Sequence, residues 1–268
     1  MRLLLALLMA TAYLAGCSST EKKSDAQPTQ RTPQQRLAAP QPQQTPPAER
    51  ARMHTDLAAG YYERGQMDVA IDELNLAVAL DLNYAPAYNI YGLVYAVLGE
   101  DRKAEQNFER ALQLAPNDSD IRHNWGWYLC QHKREREALE QFEIAVRNPL
   151  YRTPEIALDN AGRCAITIGE MRLADSYFRR ALVAKPGNAL AAYGLALIAY
   201  KEARYAEARN WMKGAMQEAN PQPETLYLGM CVERKLTDRQ AEMSYSSQLR
   251  NRYPDASETK AINTEGCE

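Results

Sequence analysis

The chain is poor in the side chains that perform chemistry. Its 268 residues include three histidines, His54, His123 and His132, and none stands at motif spacing from a serine or cysteine nucleophile. No GxSxG, HExxH, GxGxxG or Walker phosphate loop occurs. An enzyme is therefore not expected, nor a cofactor or a small-molecule substrate. The five cysteines contain no CxxC, and Cys130-x-His132 has no second ligand pair beside it, so no metal site is expected. Charge of one sign is also lacking, with 32 Lys and Arg against 34 Asp and Glu. Gripping a phosphate backbone requires a basic stripe, so no nucleic-acid partner is expected. Glu135 and Glu137 sit in the run KRERE, which reads as a solvated bend between helices rather than an acid/base pair.

What the chain does have is a repeat. Within residues 85–118, Tyr88, Tyr91, Gly92 and Tyr95 occupy positions 4, 7, 8 and 11 of a 34-residue unit. Ala104, Phe108, Ala111 and Pro116 follow at positions 20, 24, 27 and 32. Small residues at 8 and 20 let two antiparallel helices approach, and Tyr95 and Phe108 fill the space between turns. Pro116 stops the second helix because it lacks an N–H and clashes with the preceding turn. This pattern resembles the tetratricopeptide signature. One such hairpin cannot bury its apolar face alone, so neighbours must repeat it.

They do. Residues 51–84 place Ala58, Ala70, Leu74 and Ala77 at the same offsets, and residues 119–152 place Trp125, Gly126, Leu129, Ala138, Phe142 and Ala145. After a two-residue insertion, Thr153 and Pro154, residues 155–188 place Ala161, Gly162, Ala165, Ala174, Phe178, Ala181 and Pro186. Residues 189–222 place Leu195, Ala196, Ala199, Ala208, Met212 and Ala215, and residues 222–255 place Leu228, Gly229, Val232, Ala241 and Tyr245. The expected fold is all-α: six tetratricopeptide hairpins over residues 51–255, wound into a right-handed superhelix, with a polar tail over 256–268.

The N-terminus carries different information. Residues 1–16, MRLLLALLMATAYLAG, have one positive charge, about a dozen apolar residues and then small ones, as a signal peptide does. The run is shorter than the roughly 20 apolar residues that span a bilayer. It ends Leu14-Ala15-Gly16-Cys17, which resembles the bacterial lipobox. That resemblance implies that Cys17 becomes the first mature residue and carries a diacylglyceryl group and an N-acyl chain such as palmitate. Several acyl chains, at about 0.8 kcal/mol per buried CH₂, hold a stable anchor where one would not. Ser18 and Ser19 follow, where the same pattern retains aspartate for the inner membrane, so the expected site is the outer membrane, facing the periplasm. Residues 17–50 then form a tether. Six prolines, seven glutamines and no aromatic residue between 18 and 48 leave too little apolar surface to offset the entropy of ordering.

The remaining cysteines, Cys130, Cys164, Cys231 and Cys267, leave two readings open. Cys130 and Cys164 fall on the first helices of adjacent hairpins, where an oxidising compartment permits a bridge, and Cys231 with Cys267 could staple the C-terminus. Small buried thiols in a helical core are the other reading.

In such hairpins the first helix lines a concave groove, with positions 2, 5, 6, 9, 12 and 13 pointing inward. Asn124 and Asn160 share position 6, and Asn89 stands one place earlier in its unit. An amide carries donors and an acceptor, so a row of them can bind the backbone of an extended peptide. Asparagine can equally do no more than solvate the helix surface. Peptide-clamping tetratricopeptide proteins are similar in this asparagine, but they also carry cations that grip a C-terminal carboxylate. Here those places hold Asp120, His123, Ile156 and Asp159, which argues against carboxylate capture. Trp127, Arg163, Tyr193, Leu197, Tyr200, Tyr227 and Met230 complete the expected partner-binding surface, its aromatics being the usual anchors of protein interfaces. A one-residue error in the inward positions would return Tyr193 and Tyr227 to the core.

The lipobox, the Pro/Gln tether and six hairpins together resemble the type IV pilus biogenesis lipoproteins, the PilF/PilW pilotins of proteobacteria. The shared features are Leu14-Ala15-Gly16-Cys17, the six-unit register, and stretches such as Asn124-Trp125-Gly126 and Tyr205-Ala206-Glu207-Ala208. The resemblance implies a protein partner, the pilus secretin subunit, carried to the outer membrane and multimerised there in support of twitching motility. The other expectation is a periplasmic scaffold lipoprotein that recruits a peptidoglycan hydrolase, a protease or a barrel-assembly factor.

Overall fold

The computed structural model describes residues 45–264 and Cys267. The signal peptide, the lipidation site Cys17 and most of the tether lie outside the described residues. Within them the chain forms thirteen helices and no strand. The helices pair in sequence: α1 (Pro47–Glu63) with α2 (Met67–Leu80), α3 (Ala85–Val97) with α4 (Asp101–Leu114), and α5 (Ser119–Gln131) with α6 (Glu135–Arg147). The pairs α7 (Pro154–Thr167) with α8 (Met171–Ala184), α9 (Ala189–Lys201) with α10 (Tyr205–Ala215), and α11 (Pro223–Lys235) with α12 (Arg239–Arg252) follow. Each hairpin touches the next, and the first helix of each pair touches the first helix of the following pair. The last helix, α13 (Ser257–Thr264), packs on α11 and α12.

Helix starts follow local chemistry. Asp118 caps α5, its carboxylate accepting from the backbone N–H of Asp120 (2.9 Å) and Ile121 (3.0 Å). Asn188 caps α9 in the same way, with Leu190 and Ala191 at 3.1 and 3.2 Å. Proline stands in the first turn of α1, α3, α7 and α11, where its missing N–H would be unsatisfied in any case. Pro47 thereby starts α1 four residues earlier than the repeat register implies, so residues 47–50 are helix rather than tether. Within the polar tail, residues 257–264 form a helix.

The bend inside every hairpin uses one left-handed residue. Gly65, Gly99 and Gly169 supply it at φ 72–77°, but Lys133, Ala203 and Thr237 supply it at φ 58–60°. In each hairpin this residue stands two before the second helix begins, and a side chain there is strained by about 1–2 kcal/mol.

The core is built from rings set against glycines. All three phenylalanines of the chain are buried, at position 24 of the second, third and fourth units. A Cβ on Gly92 would lie 2.7 Å from the Phe108 ring, on Gly126 2.9 Å from Phe142, and on Gly162 2.6 Å from Phe178. Tyr245 takes the same seat on Gly229. The rings also join hairpins: Phe108 meets Trp125 and Tyr128 of the next unit with centroids 5.3 and 5.6 Å apart. Phe178 is gripped from both sides, since a Cβ on Gly194 would come within 2.4 Å of it.

Both possible disulfides are present. Cys130 joins Cys164 between α5 and α7, with Cα atoms 6.0 Å apart, and Cys231 on α11 joins Cys267, with Cα atoms 5.3 Å apart. Loops of 34 and 36 residues closed this way each stabilise by about 3–4 kcal/mol in the chain-entropy picture.

Two substitutions test this packing by thermal unfolding followed with circular dichroism. Thr237→Gly relieves the left-handed bend and is expected to stabilise by about 1 kcal/mol. Gly194→Ala drives a methyl into the Phe178 ring and is expected to cost about 1–3 kcal/mol.

Candidate partner groove

The face lined by α3, α5, α7, α9 and α11 holds two adjoining cavities. The first, of about 450 Å³, is lined by Trp127, Asn160, Arg163, Tyr193 and Leu197, with Asp159 in its wall. The second, of about 470 Å³, shares Tyr193 and Leu197 and adds Tyr200 and Tyr227. Seven of the ten residues expected to bind a partner thus converge on one continuous surface. Tyr193 and Tyr227 are half-buried rather than core.

The asparagines are not a free row. Asn124 Nδ2 donates to Asn89 Oδ1 at 3.2 Å, and Asn89 is buried, so it braces its neighbour from behind the surface. Asn160 Nδ2 lies 2.8 Å from His123 Nε2. Burial pushes His123 down to about 4, so at neutral pH the ring is uncharged, and in the tautomer that carries its proton on Nδ1 the Nε2 accepts this N–H. Asn124 therefore spends a donor on Asn89 and Asn160 one on His123, leaving both able to offer oxygen acceptors to a ligand.

Two expected contacts leave the surface. Asn89 is 6% exposed, and Met230 is wholly buried with Leu226, Cys231, Leu249 and Ile262. The reason for Met230 lies outside its own repeat, because α13 and Cys267 cover that part of α11. Tyr200 is tied to the same cysteine, its hydroxyl donating to the Cys267 carbonyl. Cys267 borders the second cavity together with Glu258 of α13. No repeat-based signal announces this cover; only the paired cysteines and the apolar Ile262 in an otherwise polar tail hint at it.

One wall residue exceeds its expected role. Asp159 served in sequence only as an argument against carboxylate capture, yet it is buried in the first cavity. Its Oδ2 accepts from Asn188 Nδ2 at 2.7 Å, which couples α7 to the cap of α9. Burial first, then the Glu155 charge, raises its titration from the ordinary 3.8 to about 6, against lowering by the Asn188 hydrogen bond, Lys185 and Arg163.

This architecture defines the chain as a tetratricopeptide-repeat protein, a helical-hairpin scaffold of the protein-interaction kind. The tetratricopeptide repeat family model matches residues 85–118. The type IV pilus assembly protein PilF of Pseudomonas aeruginosa is 26% identical over 212 residues, covering 79% of this chain and 84% of PilF. The crystal structure of PilW, described as a widely conserved type IV pilus biogenesis factor, superposes with a TM-score of 0.71 at 28% identity, covering 79% of this chain and 97% of PilW. A structure of Pseudomonas aeruginosa PilF gives a TM-score of 0.73 at 25% identity, covering 81% and 97%. Within the class, the chain is similar to the PilF and PilW tetratricopeptide proteins over most of its length.

Asp159 and His123 pull stability in opposite directions with pH. Native Asp159 binds its proton at about 6, before the unfolded chain does near 3.8, so acid stabilises through that window and ionisation costs stability above it. Asp159→Asn is expected to stabilise at pH 7.5 by about 1–3 kcal/mol, with the gain gone below about pH 4. Native His123 resists protonation down to about 4, whereas unfolded histidine titrates near 6.5, so stability is lost as pH falls between those values. His123→Gln is expected to remove that loss. Urea unfolding of both variants at about pH 7.5, 5 and 4 reads the two slopes.

Proposed function

We propose that this protein is an outer-membrane lipoprotein adaptor that binds the type IV pilus secretin through its groove and promotes secretin localisation and multimerisation. The observation that carries the reading is similarity to PilF and PilW across the whole repeat domain rather than across one hairpin. Supporting it, the groove has the composition of a polypeptide-binding surface, with Trp127, Tyr193 and Leu197 beside polar Asn160 and Arg163. Two disulfides accord with an oxidising compartment such as the periplasm.

The mechanism requires binding alone. The lipid on Cys17 fixes the protein to the bilayer, and residues 17–46 give it reach. A secretin segment held in the groove is then confined near the membrane. Confinement to a small volume gives bound subunits a millimolar-scale effective concentration for one another. Aromatic walls supply the apolar contact, and the amide oxygens of Asn124 and Asn160 take backbone N–H groups of an extended segment. Lipid and groove therefore make separable contributions.

Full-length protein purified in mild detergent and used to capture secretin from solubilised outer membranes tests this. Trp127→Ala combined with Leu197→Glu is expected to reduce capture at least tenfold with its unfolding temperature within a few degrees of wild type. Cys17→Ser is expected to retain capture while losing membrane-fraction secretin multimers in cells. Capture of a peptidoglycan hydrolase or barrel-assembly factor instead of secretin would overturn the assignment.

A further inference from the structure

Asp159 is 4% exposed, and one of its oxygens is unaccounted for. Oδ2 takes the Asn188 amide, but Oδ1 has no hydrogen-bond partner, although the residue forms part of the wall of the first cavity. A buried carboxylate oxygen without a donor costs about 1–3 kcal/mol or more, and native proteins seldom keep one without a use. The nearby cations do not supply the donor. Lys185 reaches Glu155 at 4.0 Å, and Arg163 stands exposed on the next turn of α7.

The rest of the cavity says what would. Trp127, Tyr193 and Leu197 make an apolar and aromatic channel beside Asp159, and Glu224 of α11 adds a second negative charge to the lining. A ligand carboxylate would meet Asp159 and Glu224 with Arg163 as the one cation in the lining. A neutral amide would satisfy Oδ1 but leave the buried charge uncompensated. A flexible alkyl stem ending in a cation satisfies both conditions: the stem lies along the apolar wall and the head donates to the carboxylate. An aromatic wall adds cation–π attraction to such a head.

We propose that this cavity is a specificity pocket for a lysine or arginine side chain of the bound segment, with its cationic head hydrogen-bonded to Asp159 Oδ1. The proposal rests on the groove reading above and deepens it: Asp159 selects, while the aromatic walls bind. It also explains why a carboxylate that costs stability at neutral pH stands at this position.

The test uses the full-length protein and a random hexapeptide library, N-acetylated and C-amidated so that no terminal charge competes. With wild type at pH 7.5, lysine and arginine are expected to be enriched at one library position at least fivefold over glutamine and methionine. Asp159→Asn keeps the acceptor for Asn188 and should fold; it is expected to reduce that enrichment below twofold while apolar preferences at neighbouring positions persist. Wild type at pH 4.5, below the titration of the carboxyl, is expected to lose the preference too, which reads the same group without a substitution. Enrichment of acidic residues, no charge preference, or a basic preference unchanged in Asp159→Asn overturns the pocket and leaves the groove reading standing. A library from which no sequence is enriched overturns both.

Discussion

A ring seated on a glycine is the contact on which this protein depends. Phe108, Phe142, Phe178 and Tyr245 each fill a place that a Cβ on the facing glycine would occupy. The contact works in two directions. Within a hairpin it sets how closely two helices lie; between hairpins it delivers the far edge of the same ring to the next unit, as Phe108 does to Trp125. Close packing within a unit and adhesion between units are therefore one interaction, and a hairpin that lost its ring would loosen its neighbour as well. The groove follows from this spacing, because regular stacking brings the first helices side by side.

On that frame, the groove is where local rules are relaxed. Rings are in place and the buried amides of Asn89 and Asn188 are paired, yet Asp159 keeps an unpartnered oxygen and a titration displaced upward. Natural folds violate their own packing rules mainly where function requires it. The violation sits on α7, which Cys130–Cys164 ties to α5, so that wall of the cavity is held by covalent as well as apolar contacts. A rigid wall with one unmet acceptor is preorganised for a donor, and preorganisation lowers the entropy lost on binding.

Much of this was legible in the residues. The 34-residue register placed all six hairpins and marked positions 8 and 24 as packing positions, but it did not pair the glycine with the ring. Groove positions were legible to the extent that Trp127, Asn160, Arg163, Tyr193 and Leu197 share one cavity. What the register could not show has a common cause: it describes a unit among identical units. Met230 occupies an inward position, but its neighbour on that side is α13, which belongs to no repeat. Asn89 reads as one more polar groove residue until its partner Asn124 is seen to lie over it. The bends at Lys133, Ala203 and Thr237 hide for the reverse reason, since no glycine marks them and their backbone is imposed by the flanking helices. The importance of Asp159 depends on which oxygen is covered, and no spacing encodes that.

The cover over the last hairpin has a consequence for assembly. A stack of like units ends in a surface shaped to receive another, and an open terminus of that kind invites head-to-tail addition of further molecules into filaments. In this chain α13 occupies that position on α11 and α12, and the Cys231–Cys267 bridge keeps the segment from peeling away. At that end, α13 and the Cys231–Cys267 bridge close off polymerisation by continued stacking.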